Sequence, residues 1–366
     1  MSAPRVEKRA RTPLLRLKWL MVPIIQRPFM KLVVYGPHKR LGALLEDGSV
    51  VDLNYAYAAL LEGKGEPRAC AKADVEVPSC LLAFIEEGDA GLKAAAKAVT
   101  YAKKVKVAAN GEKLVHKAGE VKLHAPLPSA ASRIAMAGAN FYDHSADVSK
   151  MFGRPSSVEE IKKQVKEGTY NAWGFWKQAR NVVDPDGSTP YPARTQRLDY
   201  EVEVGAVLGK GGKDIQEGDG EGYIYGYTIV NDLSIRDGGR MGGPDGFFFA
   251  KNFDNCAPMG PCIVTVDEIG DVYKLKLKQT VNGKVRQNGS MESMIRRYPW
   301  WIAWISRDMC LYPGDVVCGG TCSGTALDTS PVVDGKTKPD NFLKVGDVVE
   351  AEVPGIGKLR TTIVAK

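Results

Sequence analysis

The sequence predicts a mostly β protein of the α+β class, in which a small N-terminal α/β domain precedes a larger β domain. From Arg133 onward, short apolar runs such as RIAMAGAN, YEVEVGAVLG and YIYGYTIVND are separated by Gly, Pro, Asn and Asp, the pattern of strands joined by turns. Helix candidates rich in Ala, Lys and Leu lie before this part of the chain. A Pro-punctuated stretch, LHAPLPSAAS, separates the two parts, so we predict domains at residues 30–123 and 124–366.

The small domain is predicted to contain a β-hairpin followed by helices. Residues 30–54 (MKLVVYG, then LGALLEDGSVVDL) are typical of a hairpin, with Asp47-Gly48 at a tight turn. Residues 55–63 and 89–105 consist largely of strong helix formers, so we expect a helix in each.

The larger domain is predicted to carry two helices among its strands. Residues 157–167 (SVEEIKKQVKE) are highly charged, which indicates a surface helix exposed to solvent. Residues 294–309 are apolar and predict the one long helix that packs on the sheets. The run GKGGK lacks the spacing of a phosphate-binding loop, and no Rossmann fingerprint occurs in the sequence.

The charge of the chain is concentrated in its N-terminal tail. The 366 residues include 50 Lys+Arg and 43 Asp+Glu, a formal net charge of +7. Residues 1–29 contain seven basic residues and one acid, which leaves residues 30–366 with a net charge of +1. A nucleic-acid partner is therefore not indicated, because the basic excess lies outside the predicted domains.

The tail itself, residues 1–29, has three interpretations. Its apolar core, residues 17–25, is interrupted by Lys18 and Pro23 and is too short to cross about 30 Å of hydrocarbon, so no membrane span is predicted. The tail is predicted to be disordered, as a solvated tail or dimer arm, or to be an artefact of a start codon upstream of Met30. An organelle-targeting or anionic-surface peptide remains an alternative, because the segment is rich in Arg and poor in acids.

The cysteines indicate a reducing compartment. Their number is odd, none forms a Cys-x-x-Cys motif and none has a His nearby, which argues against a zinc site or a disulfide framework. We therefore predict a cytoplasmic protein, with an organelle as the alternative. The seven cysteines are Cys70, Cys80, Cys256, Cys262, Cys310, Cys318 and Cys322.

Three carboxylates form the first candidate site. Glu201 and Glu203 are two residues apart on a predicted strand, so both point to one face. The next strand ends in Asp232, which would place a third carboxylate beside them. Such an oxygen-rich cluster suits Mg²⁺ or Mn²⁺. A solvent-facing strand with alternating polar residues is an equally open interpretation of Glu-x-Glu.

One histidine and its neighbours form the second candidate site. His144 follows an apolar strand and a turn, in GANFYDHSAD, and Asp147 comes three residues later. On a helical turn this acid could reach the imidazole, fix its tautomer and stabilise its cation, as a water-activating base requires. The alternative is an acid at a helix start beside a surface histidine.

Basic and hydroxyl side chains complete the candidate set. Three carboxylates around a divalent ion leave a formal charge of −1, so an anionic substrate would also need cations. The candidates are Arg236, Lys251 and Lys177, each beside an aromatic or apolar segment, and Thr321 in GGTCSG could bind a carboxylate. Each cation could equally be a surface charge.

These blocks together resemble the fumarylacetoacetate hydrolase family, from about residue 124 to residue 366. The resemblance is greatest to the C-terminal catalytic domain of acylpyruvase and fumarylpyruvate hydrolase-type enzymes, and residues 30–123 resemble the family's small N-terminal domain more weakly. The matching blocks occur in the expected order and are APLPSAASRIAMAGANFYDH, GFWK, LDYEVEVGAVLGK, GYTIVNDLSIRD, KNFDNCAPMGP, VNGKVRQ, LYPGDVVCGGTCSG and FLKVGDVVEAEVPGIGKL.

The resemblance implies a mixed β-sandwich roll, a homodimer and a site for Mg²⁺ or Mn²⁺. It implies a metal-dependent hydrolase that cleaves a C–C bond of a 2,4-dioxo acid such as an acylpyruvate or fumarylpyruvate through an enolate. The alternative is a dehydratase or decarboxylase of a 2-oxo acid, for example a 2-keto-3-deoxy sugar acid. The implied roles are Glu201, Glu203 and Asp232 as metal ligands, His144, Asp147 and Lys251 in catalysis, and Arg236, Thr321 and Lys177 in substrate binding.

Three departures from the family pattern bear on the substrate. Asp147 stands where the smaller members usually carry Glu, and Gly239 stands where many members carry a substrate-contacting Gln. An insertion of about twenty residues, 154–173, follows the catalytic segment where other members have a short lid.

Overall fold

A computed structural model describes residues 30–151, 155–237, 246–333, 336–338 and 340–366. The prediction for the tail and the departure at Gly239 lie outside these residues. Among the described residues, no helix combines the length and apolar character needed to cross a bilayer.

The N-terminal part begins with a three-stranded meander, continues through helices and ends in two short strands. Its elements are β1 (Lys31–Tyr35), β2 (Arg40–Leu44), β3 (Val50–Asp52), α1 (Leu53–Glu62), α2 (Ala69–Glu76), α3 (Leu81–Glu86), α4 (Gly88–Ala102), β4 (Val115–His116) and β5 (Leu123–His124).

The remainder consists mainly of strands with short helices between them. Its strands are β6 (Ile134–Gly138), β7 (Trp173–Lys177), β8 (Val182–Val183), β9 (Gly187–Pro190), β10 (Leu198–Asp199), β11 (Val202–Leu208), β12 (Ile224–Asn231), β13 (Ser234–Ile235), β14 (Ala257–Thr265), β15 (Lys276–Val281), β16 (Lys284–Ser290), β17 (Val316–Thr321), β18 (Val332–Val333), β19 (Lys336–Thr337), β20 (Val348–Val353) and β21 (Gly357–Val364). Its helices are α5 (Tyr142–Met151), α6 (Val158–Glu167), α7 (Gly246–Ala250), α8 (Val266–Ile269), α9 (Tyr298–Ile305) and α10 (Ala326–Thr329).

Two sheets form the body of the protein. In the described part of the chain, a 12-stranded sheet runs β4-β3-β2-β1-β14-β12-β11-β17-β6-β7, with β5 beside β1 and β8 beside β14. A five-stranded sheet runs β16-β15-β20-β21-β9. Most neighbours are antiparallel, whereas the pairs β17–β6, β14–β8 and β21–β9 are parallel. The predicted α+β architecture with a small N-terminal α/β part is confirmed. The domain division at residue 123 stays a prediction, since β1 pairs directly with β14.

The alternation of side chains along the strands builds a core on each face of the large sheet. Leu32 and Ile263 belong to the core that also contains Phe84 of α3, on the face covered by the N-terminal helices. Their chain neighbours Val33 and Val264 belong to the opposite core, which includes residues of the five-stranded sheet. The large sheet is therefore buried on both faces, so the strands that carry polar side chains at their ends are held in place by packing.

The N-terminal predictions are confirmed with one difference. The Asp47-Gly48 turn forms, with Gly48 at φ +79°, and helices occur at Leu53–Glu62 and Gly88–Ala102. The single hairpin, however, is a three-stranded meander. A second turn lies between β1 and β2, where Gly36 and Lys39 both have positive φ.

The predicted long helix at residues 294–309 is wrong. Only Tyr298–Ile305 is helical, and α4 with 15 residues is longer. Pro299 lies in the first turn of α9. Because proline lacks an N–H and clashes with the preceding turn, it is tolerated there but prevents the helix from extending towards residue 294.

The charged helix at residues 157–167 forms but is not wholly exposed. Ser157 accepts from the Glu160 backbone N–H, and the Glu160 side chain accepts from the Ser157 N–H, which makes a capping box. Ile161 is buried and packs in a small cluster with Ala146 of α5 and Ile295. The prediction of a solvated helix is therefore wrong for the face that carries Ile161, because this face covers α5.

Replacing Ser157 by alanine is expected to destabilise α6 locally by about 1 kcal/mol, because the capping oxygen is lost. The free energy of opening of the helix can be measured by amide hydrogen exchange. Ser157→Asp, which retains an accepting oxygen at the helix start, is expected to keep near-native protection. Equal protection in the two variants would contradict the role of the cap.

Candidate active site

A buried cluster of three carboxylates lies at neighbouring strand ends of the large sheet. Glu201 directly precedes β11, Glu203 is the second residue of that strand, and Asp232 directly follows β12. The antiparallel register pairs Val202 with Asn231, so the two strand ends lie side by side. Oxygens of the three carboxylates lie within 4.8 Å of one another, and all three residues are buried. The alternative of a solvent-facing strand is thus wrong.

Two basic side chains bridge these acids. Lys251 Nζ donates to Glu201 Oε2 at 2.5 Å and to Asp232 Oδ2 at 2.7 Å. Arg236 forms an ion pair with the other oxygen of Glu201, and its Nε donates to Asp199 Oδ2 at 2.9 Å. The side chains of both cations are buried in the cluster, so the alternative of a surface charge is wrong for Arg236 and Lys251.

Lys177 lies behind the cluster. Its side chain is fully buried, and Nζ lies 2.8 Å from Asp232 Oδ1. Nζ also donates to the carbonyl of Lys251 at 2.7 Å and to that of Cys256 at 3.2 Å. Lys177 is not among the described residues that line the cavity. The structure therefore places it as a support of Asp232, away from the substrate position predicted for it.

Thr321 lines the cavity, but its hydroxyl is engaged within the protein. The Oγ1 hydroxyl donates to the carbonyl of Val202 at 2.8 Å and accepts from Gln287 Nε2 at 2.8 Å. The neighbouring Gly320 N–H donates to Glu203 Oε2 at 2.9 Å. The segment that ends β17 thus orients a carboxylate of the cluster.

His144 is paired with Asp328. Its Nδ1 lies 2.9 Å from Asp328 Oδ2, and its Nε2 lies 3.9 Å from Glu201 Oε1. Asp147 instead accepts from Ser323 Oγ at 2.6 Å and pairs with Lys150 at 2.9 Å. The predicted pairing of His144 with Asp147 is therefore corrected: the two share helix α5, but the imidazole turns to Asp328 of α10, the short helix that follows β17.

The loop after β17 holds Asp328 in place. Oδ2 of Asp328 also accepts from the N–H groups of Gly324 at 3.0 Å and Thr325 at 3.1 Å. Thr325 and Asp328 form a capping box at the start of α10. Burial lowers the pKa of His144, but the Asp328 carboxylate and, further away, Glu201 outweigh it, so the pKa lies above its usual value.

Asp199, like Asp328, is an acid of the site that the sequence analysis did not identify. It accepts from Arg236, and its two oxygens also accept from the N–H groups of Ala326 at 2.6 Å and Leu327 at 3.2 Å. It therefore links the guanidinium of Arg236 to the first turn of α10. The capping pattern Thr-x-x-Asp was a usable local signal for Asp328, whereas Asp199 had none.

The cluster opens into a cavity of about 800 Å³. Its polar end is lined by the three clustered carboxylates, by His144 and by the basic side chains of Arg236 and Lys251. The predicted insertion contributes residues to the walls of this cavity. Its lining residues are Ser156, Ile161, Gln164, Tyr170, Asn171 and Trp173.

The donor set fits a divalent cation. Within the described residues, five carboxylates with buried side chains face three Lys and Arg cations and His144, so the ionised network keeps an excess of two negative charges, or of one when His144 is protonated, which a divalent ion would offset. Oxygen ligands are those that Mg²⁺ and Mn²⁺ prefer. The carboxylates are Asp199, Glu201, Glu203, Asp232 and Asp328, and the cations are Arg236, Lys251 and Lys177.

The acids of the cluster differ in their affinity for protons. Burial raises the pKa of Glu203 well above its usual value, and Asp232 and Glu201 raise it further. Burial also opposes ionisation of Glu201, but Arg236, Lys251 and His144 outweigh it and hold the pKa of Glu201 well below its usual value.

Binding of Mn²⁺ is therefore expected to displace a proton from Glu203. Below its raised pKa Glu203 carries a proton, so affinity for the ion should fall as the pH falls. Calorimetry in two buffers of different ionisation enthalpy measures the protons released. Glu203→Gln is expected to abolish the release, and an affinity that does not change with pH would contradict the assignment.

The fold and the buried acidic site define an enzyme with a candidate metal centre. The family model described as "Fumarylacetoacetate (FAA) hydrolase C-terminal" matches residues 133–364. The chain therefore belongs to the fumarylacetoacetate hydrolase family, which confirms the resemblance found in the sequence.

The relatives are named for more than one activity. The chain is 31% identical over 325 residues, 88% of its length and 95% of the relative's, to "Oxaloacetate tautomerase YisK" of Bacillus subtilis. It is 30% identical over 291 residues, 80% of its length and 82% of the relative's, to the human "Oxaloacetate tautomerase FAHD2A, mitochondrial". A solved fumarylacetoacetate hydrolase from Exiguobacterium antarcticum superposes with a TM-score of 0.65 at 25% identity, over 92% of this chain and all of that one.

Proposed function

We propose that the protein interconverts the keto and enol forms of a 2-oxo acid. The observation that carries this proposal is the position of His144, buried between Asp328 and the acidic cluster at the polar end of the cavity. An ionised carboxylate only accepts hydrogen bonds, so Nδ1 carries a proton, and in the neutral form of the imidazole Nε2 is left to accept one. The relatives named oxaloacetate tautomerases support this reaction over the hydrolysis predicted from the sequence.

The residues suit proton transfer next to a carbonyl group. Nε2 of His144 would take a proton from C3 while the C2–C3 double bond forms and the 2-oxo oxygen gains negative charge. Asp328 would stabilise the imidazolium. The positive charge of Lys251, whose N–H groups donate to Glu201, Asp232 and Ser234, would stabilise the oxygen through space, without a direct hydrogen bond. Return of the proton to that oxygen gives the enol: the C2=O π bond is replaced by the C2=C3 π bond, and C3–H is the only σ bond to carbon that breaks. A bound divalent ion would supply Lewis acidity at the same oxygen.

Hydrolysis of a 2,4-dioxo acid is the second candidate. The same His144–Asp328 pair could take a proton from water, and the cavity of about 800 Å³ has room for water beside a small substrate. The resulting hydroxide would attack the distal carbonyl, and cleavage of the C–C bond would yield pyruvate and a second acid. A dehydratase or decarboxylase would use the same enolate chemistry.

One experiment separates these candidates. Enol-oxaloacetate is diluted into buffer with the enzyme and Mg²⁺, and its absorbance decay is compared with the uncatalysed rate. Acetylpyruvate and fumarylpyruvate are assayed in parallel for pyruvate release. Accelerated enol decay without pyruvate release from the dioxo acids supports the tautomerase; pyruvate release with an unchanged enol decay replaces it by the hydrolase.

The identity of the ion, the oligomeric state and the location are further parts of the proposal. Mg²⁺ or Mn²⁺ is proposed as the ion because both favour oxygen ligands. The homodimer and the cytoplasmic location stay predictions from the sequence. Relatives named as mitochondrial, from human and from Xenopus laevis, keep the organelle alternative open.

A further inference from the structure

One wall of the cavity is aromatic because of the alternation along β7. This strand pairs antiparallel with β6, so that Trp173 lies opposite Gly138 and Phe175 opposite Met136. Trp173 and Phe175 line the cavity. Trp176, one residue out of phase, lies on the other face of the strand and is 43% exposed.

The indole of Trp173 lies against the backbone of β6. A Cβ added at Gly138 would meet ring carbons of Trp173 at 2.3 Å, so the ring can adopt this position only because residue 138 lacks a side chain. The ring centroid of Phe247 in α7 lies 4.6 Å from that of Trp173. It lies 5.3 Å from that of Phe175, with the two planes 9° apart. The three rings form one aromatic wall.

The aromatic wall adjoins the acidic cluster. Lys251 Nζ lies 5.0 Å from the ring centroid of Phe175, and the same ammonium donates to Glu201 and Asp232. A ligand whose 2-oxo acid group is held at the cluster would therefore have its next atoms beside the rings.

The charged groups of the cavity lie at its polar end. Among the described lining residues the lysine and arginine side chains are Lys251 and Arg236, and each is already bound to two carboxylates. The lining residues of the insertion carry no charge. Among the described lining residues, a carboxylate at the far end of a substrate would thus find no free lysine or arginine side chain to pair with. A flat apolar group at that position would contact the aromatic wall.

We propose that the substrates of this site include 2-oxo acids that carry an aryl or other flat apolar substituent, which stacks on Trp173, Phe175 and Phe247. The proposal rests on the 2-oxo acid chemistry of the proposed function and extends it to the group beyond C3. A cavity of about 800 Å³ is large enough for such a molecule, since drug-sized ligands occupy cavities of about 300–1,000 Å³. Trp173 is then a residue that determines specificity.

The test measures binding and needs no turnover. Oxamate and N-phenyloxamate are stable analogues of a 2-oxo acid without and with an aryl group, and their dissociation constants are measured calorimetrically with Mg²⁺. The aryl analogue is expected to bind at least about 10-fold tighter, through ring burial and stacking. Trp173→Ala should reduce this preference about 10-fold and leave oxamate binding within about 2-fold.

The matched control is Trp176→Ala, on the opposite face of the same strand, which is expected to leave both dissociation constants unchanged. Phe247→Leu provides a second variant with a smaller volume change. It is used in place of Trp173→Ala if thermal unfolding shows that the Trp173→Ala variant is not folded. Equal affinity of the wild-type protein for both analogues, or equal effects at positions 173 and 176, overturns the proposal. If the protein shows no tautomerase activity, the dissociation constants of the two analogues still test the aryl preference, so the two proposals can fail independently.

Discussion

Replacing His144 by alanine is expected to lower turnover of the 2-oxo acid by about 10²–10⁴-fold, the usual contribution of a positioned general base. The imidazole lies 2.9 Å from Asp328 and is the described group at the polar end of the cavity best placed to carry a proton to or from carbon. Steady-state kinetics measure the loss, and Mn²⁺ affinity should change little. Turnover near that of the wild type would exclude His144 as the base.

Two aspartates provide the controls for this assignment. Asp328→Asn should lower turnover and shift its pH profile, because the amide cannot stabilise the imidazolium. Asp147→Asn keeps the shape of a residue that contacts Ser323 and Lys150 and is expected to leave turnover within about 3-fold, the scale of exposed contacts. A larger loss at residue 147 than at 328 would restore the pairing predicted from the sequence.

Removal of the divalent ion is expected to reduce activity to the background rate. Lewis-acid stabilisation contributes several kcal/mol, which corresponds to a factor on the order of 10³ or more in rate. Treatment with EDTA should abolish activity, and added Mg²⁺ or Mn²⁺ should restore it. Full activity in the metal-free protein would exclude the site.

Single substitutions locate the ion within the chain. Glu203→Gln should weaken Mn²⁺ binding and lower activity together, because an amide supplies no charge. Asp315→Asn is the matched control, since Asp315 is a buried carboxylate that pairs with Arg133 outside the cavity. It is expected to affect stability but not Mn²⁺ affinity.

The acidic cluster could be predicted because its signal is local to two neighbouring strands. A strand repeats every two residues, which places Glu201 and Glu203 on one face, and an antiparallel neighbour brings Asp232 to the same edge. The partner of His144 could not be predicted in this way. Asp328 lies 184 residues further along the chain, and sequence spacing indicates contacts only within one element.

Lys177 and the insertion show a second limit of sequence patterns. A basic residue beside aromatic ones resembles a substrate contact, but the burial of Lys177 depends on carbonyls of Lys251 and Cys256 from a distant segment. The charge of residues 157–167 predicts exposure, yet one apolar residue, Ile161, attaches the helix over the cavity. Both outcomes follow from tertiary packing, which overrides local composition.

The pairing of β1 with β14 has a consequence for truncation. Lys31 and Leu32 lie opposite Val264 and Ile263, so a fragment that starts at residue 133 would lose these partners. The backbone N–H and C=O groups along that edge of β14 would become available to other chains, and the apolar core under α3 would be uncovered. A shortened chain should therefore aggregate, and expression trials and domain grafts need to retain residues 30–123.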